Sequence, residues 1–535
     1  MTTLRGVGGV AWIVALFLAA VPVGCRRRPA EAPASSDAVI LPAPGDRGRV
    51  VGLRRAWPVE PVNLLPFLDP PDGYSQMIGR YLYEGLVALD GQTGRPIPAV
   101  ASKIDVSVDG KTVTAVLRPG VLFHDGTPLT TADVLATFAA VRNPANPTAT
   151  LRASLADLAT IRSPAAGVVE MIWKAPYYRA VRVLADLAIV PERVARAGLA
   201  TEEARRRAPG TGPFRLREWH SGQSIRLARH ERHWGTPPRL SEVTIKFIRE
   251  PSTQLAAFRR GELDLVSVTP AAFAAERDAL SRDPRWRVYR YDRTRYDVVH
   301  LNVRRPPLDD VRVRRAIERA VDRPAMARAF FDGLYPPIEG PVMPVGDGFV
   351  GFEAPARPAD PAGARALLAD AKVTLAAPLI LRSFAGSAET RQIAESLRAQ
   401  LAAVGLPMTV RESDWPTLAA DLDAGRFDLV LVQEQASPDV LAFDAAGGAA
   451  HPGGYARPEV AALIARARRA VDDGARGELV RQAARLVAED APSLYLWRYA
   501  VVTLARTELR GLMPSPLIGL DDMRAWTLRP REVRP

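Results

Sequence analysis

The chain of 535 residues contains a single cysteine, Cys25, so neither an intrachain disulfide framework nor a cysteine-based zinc site can be built from it. Lysine occurs only at positions 103, 111, 174, 246 and 372, and the net charge of +12 is carried by arginine, with Asp and Glu scattered between. Apart from "RRRP" at 26–29 and "ARRR" at 204–207, no basic run alternates with aromatics, which make up only 7% of the chain. Nucleic acid is therefore not an expected partner, and anionic lipid headgroups are the more natural nonspecific neighbour. Past the first 24 residues no apolar run reaches the ~20 residues that a membrane crossing requires. No fixed-period repeat is visible, which excludes a solenoid or propeller. The nucleophile elbow G-x-S-x-G, the zinc motif H-E-x-x-H and the phosphate loop G-x-x-x-x-G-K-[ST] are all missing. "GKT" at 110–112 lacks the upstream Gly of the last. No enzyme activity and no cofactor are expected.

A hydrophobic content of 47% over this length can bury a large core and normally makes two or three domains. At the N-terminus Arg5 precedes an apolar run from Val7 to Gly24, then come Cys25 and a Pro/Ala/Ser/Gly-rich stretch. This reads as an export signal over 1–24 and a flexible tether over 25–49. Gly24-Cys25 resembles a bacterial lipoprotein processing site, which implies lipidation of Cys25 and attachment to a membrane in the periplasm or cell envelope. Pro22 stands where Leu is usual, and Arg26 to Arg28 are unfavourable for translocation. A cleaved soluble form and an uncleaved anchor remain the alternatives.

"FHDGTPLTTADV", Phe123 to Val134, gathers a His, two Asp and three Thr as a metal or hydrolytic site might. Its surroundings predict architecture instead. Ile104/Val106/Val108 and Val113/Ala115/Leu117 alternate about Asp109-Gly110, which predicts a β-hairpin. Asp125-Gly126 predicts a turn, and Thr130 or Thr131 with Asp133 predicts a capped helix start. His124 has no second ligand at metal spacing, so its expected role is structural. "HERH", His230 to His233, puts two imidazoles three apart, and its expected role is also structural. Further along, "PSTQLAAFRRGELDLV" predicts a helix capped by Ser252, stopped by Gly261 and followed by a strand. Asp309 or Asp310, Asp322 and Asp360-Pro361 predict three more helix starts. "APLILRS", "ETRQIAESLRAQLAAVG" and "RFDLVLVQ" predict strand, helix and strand. This alternation predicts an α/β fold.

The run Leu82 to Phe138, with the blocks at 210–235, 252–266, 301–323 and 458–470 in order, resembles the family 5 extracytoplasmic solute-binding proteins. These are the peptide, nickel and opine receptors of ABC importers. The resemblance implies a two-lobed periplasmic-binding-protein-like fold of class II, cluster C type, with an inserted subdomain. Residues 50–80, 186–297 and 501–525 then form lobe I, 81–185 the insertion and 298–500 lobe II. Lobe crossings fall near 297–302 and 499–502. The cleft between lobes closes on a peptide or similar solute, which a monomeric receptor delivers to ABC permease subunits.

The resemblance brings Tyr83 and Glu84 toward the ligand and matches Glu434, in "VLVQEQASPDVLAF", to the position where peptide-binding members hold an α-amino group. Gln433 and Gln435 are the neighbours if the register slips by one. Trp415, Arg382, Ser383, Tyr495 and Trp497 complete the candidate set, Arg382 as a bidentate carboxylate holder. Three departures bear on the solute: Ala461 replaces the Asp of "PEVD", "LYLW" at 494–497 replaces "IPLY", and aliphatic "LVLV" replaces the Trp before the acid. Two other roles stay open, a ligand-sensing protein that signals to a partner and an uptake receptor for a nickel or haem complex.

Overall fold

The computed structural model describes residues 52–69, 72–177, 179–340, 358–435, 451–515, 520 and 523–528. Cys25, the apolar run before it and positions 436–443 of the "VLVQEQASPDVLAF" stretch lie outside the described residues.

The expected hairpin is built from the antiparallel strands Ala101–Val106 and Thr112–Leu117. Gly110 turns it at a φ of +69°, a conformation that a side chain would strain. With Val168–Trp173 and then Leu158–Ala165 added beyond Thr112–Leu117, the hairpin becomes a four-stranded sheet. The next helix is Thr131–Arg142; at its start Asp133 Oδ2 accepts from the Thr130 amide at 2.7 Å and the Thr130 hydroxyl at 2.9 Å. His124 is held between two backbone groups: Nδ1 accepts from the Gly210 amide at 3.2 Å and Nε2–H donates to the Gly212 carbonyl at 3.1 Å. Burial, with His230 nearby, pushes its pKa down to about 3. The opening stretch is made of turns, a cap and a buried neutral imidazole.

A second four-stranded sheet runs Gly52–Trp57, Glu242–Phe247, Ser224–Arg229, Phe214–His220. One core joins it to the first sheet, burying Trp57, Phe123, Phe138, Trp173 and Phe214.

The largest sheet has six strands, in the order Leu265–Val268, Ser493–Arg506, Trp286–Leu301, Leu429–Gln435, Leu379–Phe384, Met408–Ser413. Its two long members, the outgoing strand 286–301 and the return strand 493–506, are antiparallel. The last three strands are mutually parallel, with helices Ala388–Ala402 and Trp415–Asp423 connecting them. Asp310, Asp322, Asp360, Ser387 and Asp414 each cap a helix by accepting from a first-turn amide. At Pro251–Arg259 the cap position falls to Glu250, two residues before the expected Ser252. Pro251 takes the first helical position, where its missing N–H costs nothing. Gly261, at φ +80°, ends that helix as expected.

The strand Leu265–Val268, in a segment assigned from sequence to lobe I, thus hydrogen-bonds to the return strand. Asp264 beside it clips Arg54 of the smaller sheet, with Arg54 Nη2 2.9 Å from Oδ1 and the Arg54 amide 2.8 Å from Oδ2. A second large core, of Trp286, Ile317, Phe331, Leu397 and Trp497 among others, lies on the six-stranded sheet. The molecule has the two-lobed α/β fold with a small sheet inserted in the first lobe. Among the described residues no helix is long and apolar enough to cross a membrane.

Candidate functional site

In open sheets with parallel strands, ligands bind outside the carboxyl ends of the strands, where the connections diverge. Here that edge is marked by Phe384, Ser413 and Gln435, the last residues of the three parallel strands, and by the starts of the helices at Ala388 and Trp415. The outgoing strand runs antiparallel to Leu429–Gln435 and pairs Arg295 with Gln435, so Arg295, Tyr296 and Asp297 reach the same edge. Its pairing with the return strand breaks register between Asp292 and Tyr296 and again between Asp297 and Val298. Such irregularities twist a strand and re-aim its side chains. Two polar clusters form there, on opposite faces of the sheet.

The first surrounds Glu434, whose side chain is 7% exposed. Tyr296 Oη donates to Oε2 at 2.7 Å, and His300 Nε2–H donates to Oε1 at 2.8 Å. Burial pushes the carboxyl up, but His300 and the Tyr296 hydroxyl outweigh it and hold the group below the usual carboxylate range. The chain continues inward: His300 Nδ1 lies 2.8 Å from Ser493 Oγ, and Ser493 Oγ lies 3.0 Å from His451 Nε2. The Tyr455 amide donates to His451 Nδ1 at 3.4 Å, which leaves His451 Nε2–H for Ser493 and the serine proton for His300. Burial, with His300 nearby, holds His451 well below the ordinary histidine value. Tyr495 packs its ring 5.7 Å from that of Tyr296, and Trp415 covers the same small core.

The second cluster centres on Asp297. Trp497 Nε1–H donates to its Oδ2 at 2.7 Å, and the Tyr499 hydroxyl lies 3.2 Å and 3.1 Å from its two oxygens. Burial raises Asp297 to about 6 despite these donors. Glu389, in the first turn of its helix, is raised to about 7 by burial and by Asp297, with Tyr499 and Arg295 offsetting part. The Arg295 guanidinium lies 5.5 Å from the Tyr499 ring centroid. Its Nη2 is buried with no hydrogen-bond partner among the described residues.

The remaining sequence candidates separate from these clusters. Arg382 is committed to Asp421, 2.8 Å away, and Ser383 is fully buried with its Oγ unpartnered among the described residues. Tyr83 is buried and donates to the Ala208 carbonyl at 2.8 Å. Glu84 accepts from Trp234 Nε1 at 2.7 Å, Thr211 Oγ1 at 3.1 Å and His233 Nε2 at 3.1 Å, all in the first lobe. The two imidazoles of "HERH" are spent locally, His233 on Glu84 and His230 Nδ1 on the Gly212 carbonyl at 3.2 Å. Among the described residues no three His, Cys, Asp or Glu are grouped to hold a metal. Sequence reading missed Arg295, Asp297, His300, Glu389, His451 and Ser493. A signal was present in "TRYDVVHL", where Asp297 and His300 interrupt a strand apolar on both faces.

The model of the bacterial extracellular solute-binding proteins, family 5, matches residues 95–443. The chain belongs to this family. It is 27% identical over 481 residues to di/tripeptide-binding protein 2 of Pseudomonas aeruginosa, covering 83% of this chain and 88% of that protein. It is 25% identical over 482 residues to the glutathione-binding protein GsiB of Pectobacterium atrosepticum, covering 85% and 90%. In fold it is similar to a putative peptide-binding protein AppA from Clostridium difficile, with a TM-score of 0.79 at 19% identity over 89% of this chain and 100% of that one. NikA from Brucella suis, solved with Fe(III)-EDTA, aligns with a TM-score of 0.77 at 23% identity, over 89% and 100%. Family membership makes the polar edge of the six-stranded sheet part of a solute receptor.

Proposed function

We propose that this family 5 receptor binds a small peptide or peptide-like solute at the carboxyl edge of its parallel strands and delivers it to the permease subunits of an ABC importer. The observation that carries this reading is the pair of charged, half-open clusters at that edge, in a chain whose relatives are named for di/tripeptides and glutathione. Trp415, Tyr495 and Trp497 supply aromatic wall, and Glu434 fixes the edge electrostatically through His300 and Tyr296. Arg382 and Ser383 support the strand end, while Tyr83 and Glu84 brace the first lobe with polar atoms already spent on internal partners. The protein binds its solute and does not transform it. Export through the segment 1–24 and lipidation of Cys25 hold the monomeric receptor at the membrane outside the cytoplasm.

The test is thermal unfolding of solute-stripped protein against short peptides, opines and metal chelates. A true solute at 100 times its Kd stabilises the folded state by ~2.7 kcal/mol. Absence of any shift across that panel would overturn the transport reading and favour a ligand-independent interaction role.

A further inference from the structure

Three charged side chains of the second cluster are close enough to feel one another, yet none forms an ion pair. Arg295 acts on both Asp297 and Glu389 through space, but among the described residues no carboxylate lies within salt-bridge distance of its guanidinium, and its buried Nη2 has no partner. The Asp297 oxygens are occupied by Trp497 and Tyr499, which bring hydrogen bonds but no positive charge. Glu389 and Arg295 are half-buried, so the cluster opens at the sheet edge. Nearby lie Arg293, Tyr335 and Gln433, and none of these completes an ion pair with the three.

Buried opposite charges held apart are costly unless something bridges them. A simple cation would satisfy the two carboxylates and leave Arg295 unpaired. A simple anion would satisfy Arg295 and repel both acids. A molecule carrying ammonium and carboxylate groups a few ångströms apart compensates all three. We propose that Arg295, Asp297 and Glu389 form a subsite for a zwitterionic solute head, with the ammonium between Asp297 and Glu389 and the carboxylate on Arg295 Nη2. This rests on the receptor reading above and moves amine recognition off Glu434, whose two oxygens already serve Tyr296 and His300. Burial displaces all three groups of the subsite against their charged forms, the acids upward and Arg295 downward, which is the state expected of a site lacking its counter-charges.

Calorimetry on the solute-stripped full chain decides it, using the dipeptides Ala-Ala, Leu-Gly, Lys-Ala and Glu-Ala with free ends, then the same peptides N-acetylated or C-amidated. At least one free dipeptide is expected to bind, with either blocked form weaker by about ten-fold or more. Arg295→Gln should abolish discrimination against the amide only, and Glu389→Gln should reduce discrimination against the acetylated form. Both positions are half-buried, so these variants are expected to fold. Repeating the titration at pH 7 in buffers of different ionisation enthalpy should show proton release on binding, because Glu389, raised to about 7, ionises beside the incoming ammonium. Proton release that persists in Glu389→Gln overturns its role. Equal binding of free and blocked peptides, or unchanged discrimination in both variants, overturns the subsite and leaves the receptor reading intact. If neither free nor blocked peptides bind, the peptide reading and the subsite fall together.

Discussion

Glu434 Oε1 lies 2.8 Å from His300 Nε2, across 134 positions of chain and between two strands of one sheet. The pair is nearly dry: His300 has a fully buried side chain. A carboxylate in this setting acts first as a structural partner, because its removal strands an imidazole N–H and a tyrosine hydroxyl in the core.

Glu434→Gln is therefore expected to destabilise the solute-free protein by about 3 kcal/mol, the usual cost of breaking a buried pair from one side. Urea unfolding at neutral pH measures this. The folded carboxyl titrates below its ordinary value, so its contribution is complete above that value and is lost as pH falls through the lower folded pKa. The gap between variant and parent should narrow at pH below about 4. A melting temperature unchanged at pH 7 would place Glu434 outside this network.

Burial holds His124 at about 3 and His451 well below the ordinary value. The folded protein then binds fewer protons than the unfolded chain between those depressed values and about 6.5. Stability should be complete above that pH and decline on acidification, by about 1.4 kcal/mol per pH unit for each histidine kept neutral. His124→Asn should lower stability at pH 8 yet flatten the slope between pH 6 and 4. An unaltered slope would show that His124 does not carry it.

Glu84→Gln presents an amide N–H₂ to surroundings made of donors, Trp234, Thr211 and His233. The expected loss is about 1–3 kcal/mol of stability with solute affinity unchanged. Chemical denaturation and calorimetry on the same variant separate the two. Weakened binding at unchanged stability would return Glu84 to the solute.

At the exported end, Cys25→Ser should abolish incorporation of labelled lipid and release the protein from membrane fractions. Labelled lipid that persists in the variant, or never enters the parent, would exclude lipidation at this residue.

Local rules made much of the architecture legible in the sequence. Asp109-Gly110 marked its hairpin because only a turn residue tolerates φ +69° there, and Thr130 with Asp133, Asp310, Asp322 and Asp360 marked helix starts through contacts spanning two or three residues. Even the miss at Ser252 was local, a proline at the first helical position shifting the cap to Glu250. The family resemblance supplied the two-lobed frame into which these pieces fit. The partners of the charged residues were not legible, because they come from distant chain segments: Trp497 meets Asp297 across 200 positions and Glu84 meets Trp234 across 150. Whether a carboxylate faces solute, a histidine or a tryptophan depends on strand register and on which sheet face its neighbour occupies. The sequence alone determined that Glu434 ends a strand beside a turn; only the tertiary structure decided that Tyr296 and His300 reach it first, since pairing the outgoing strand against Leu429–Gln435 sets both on its face.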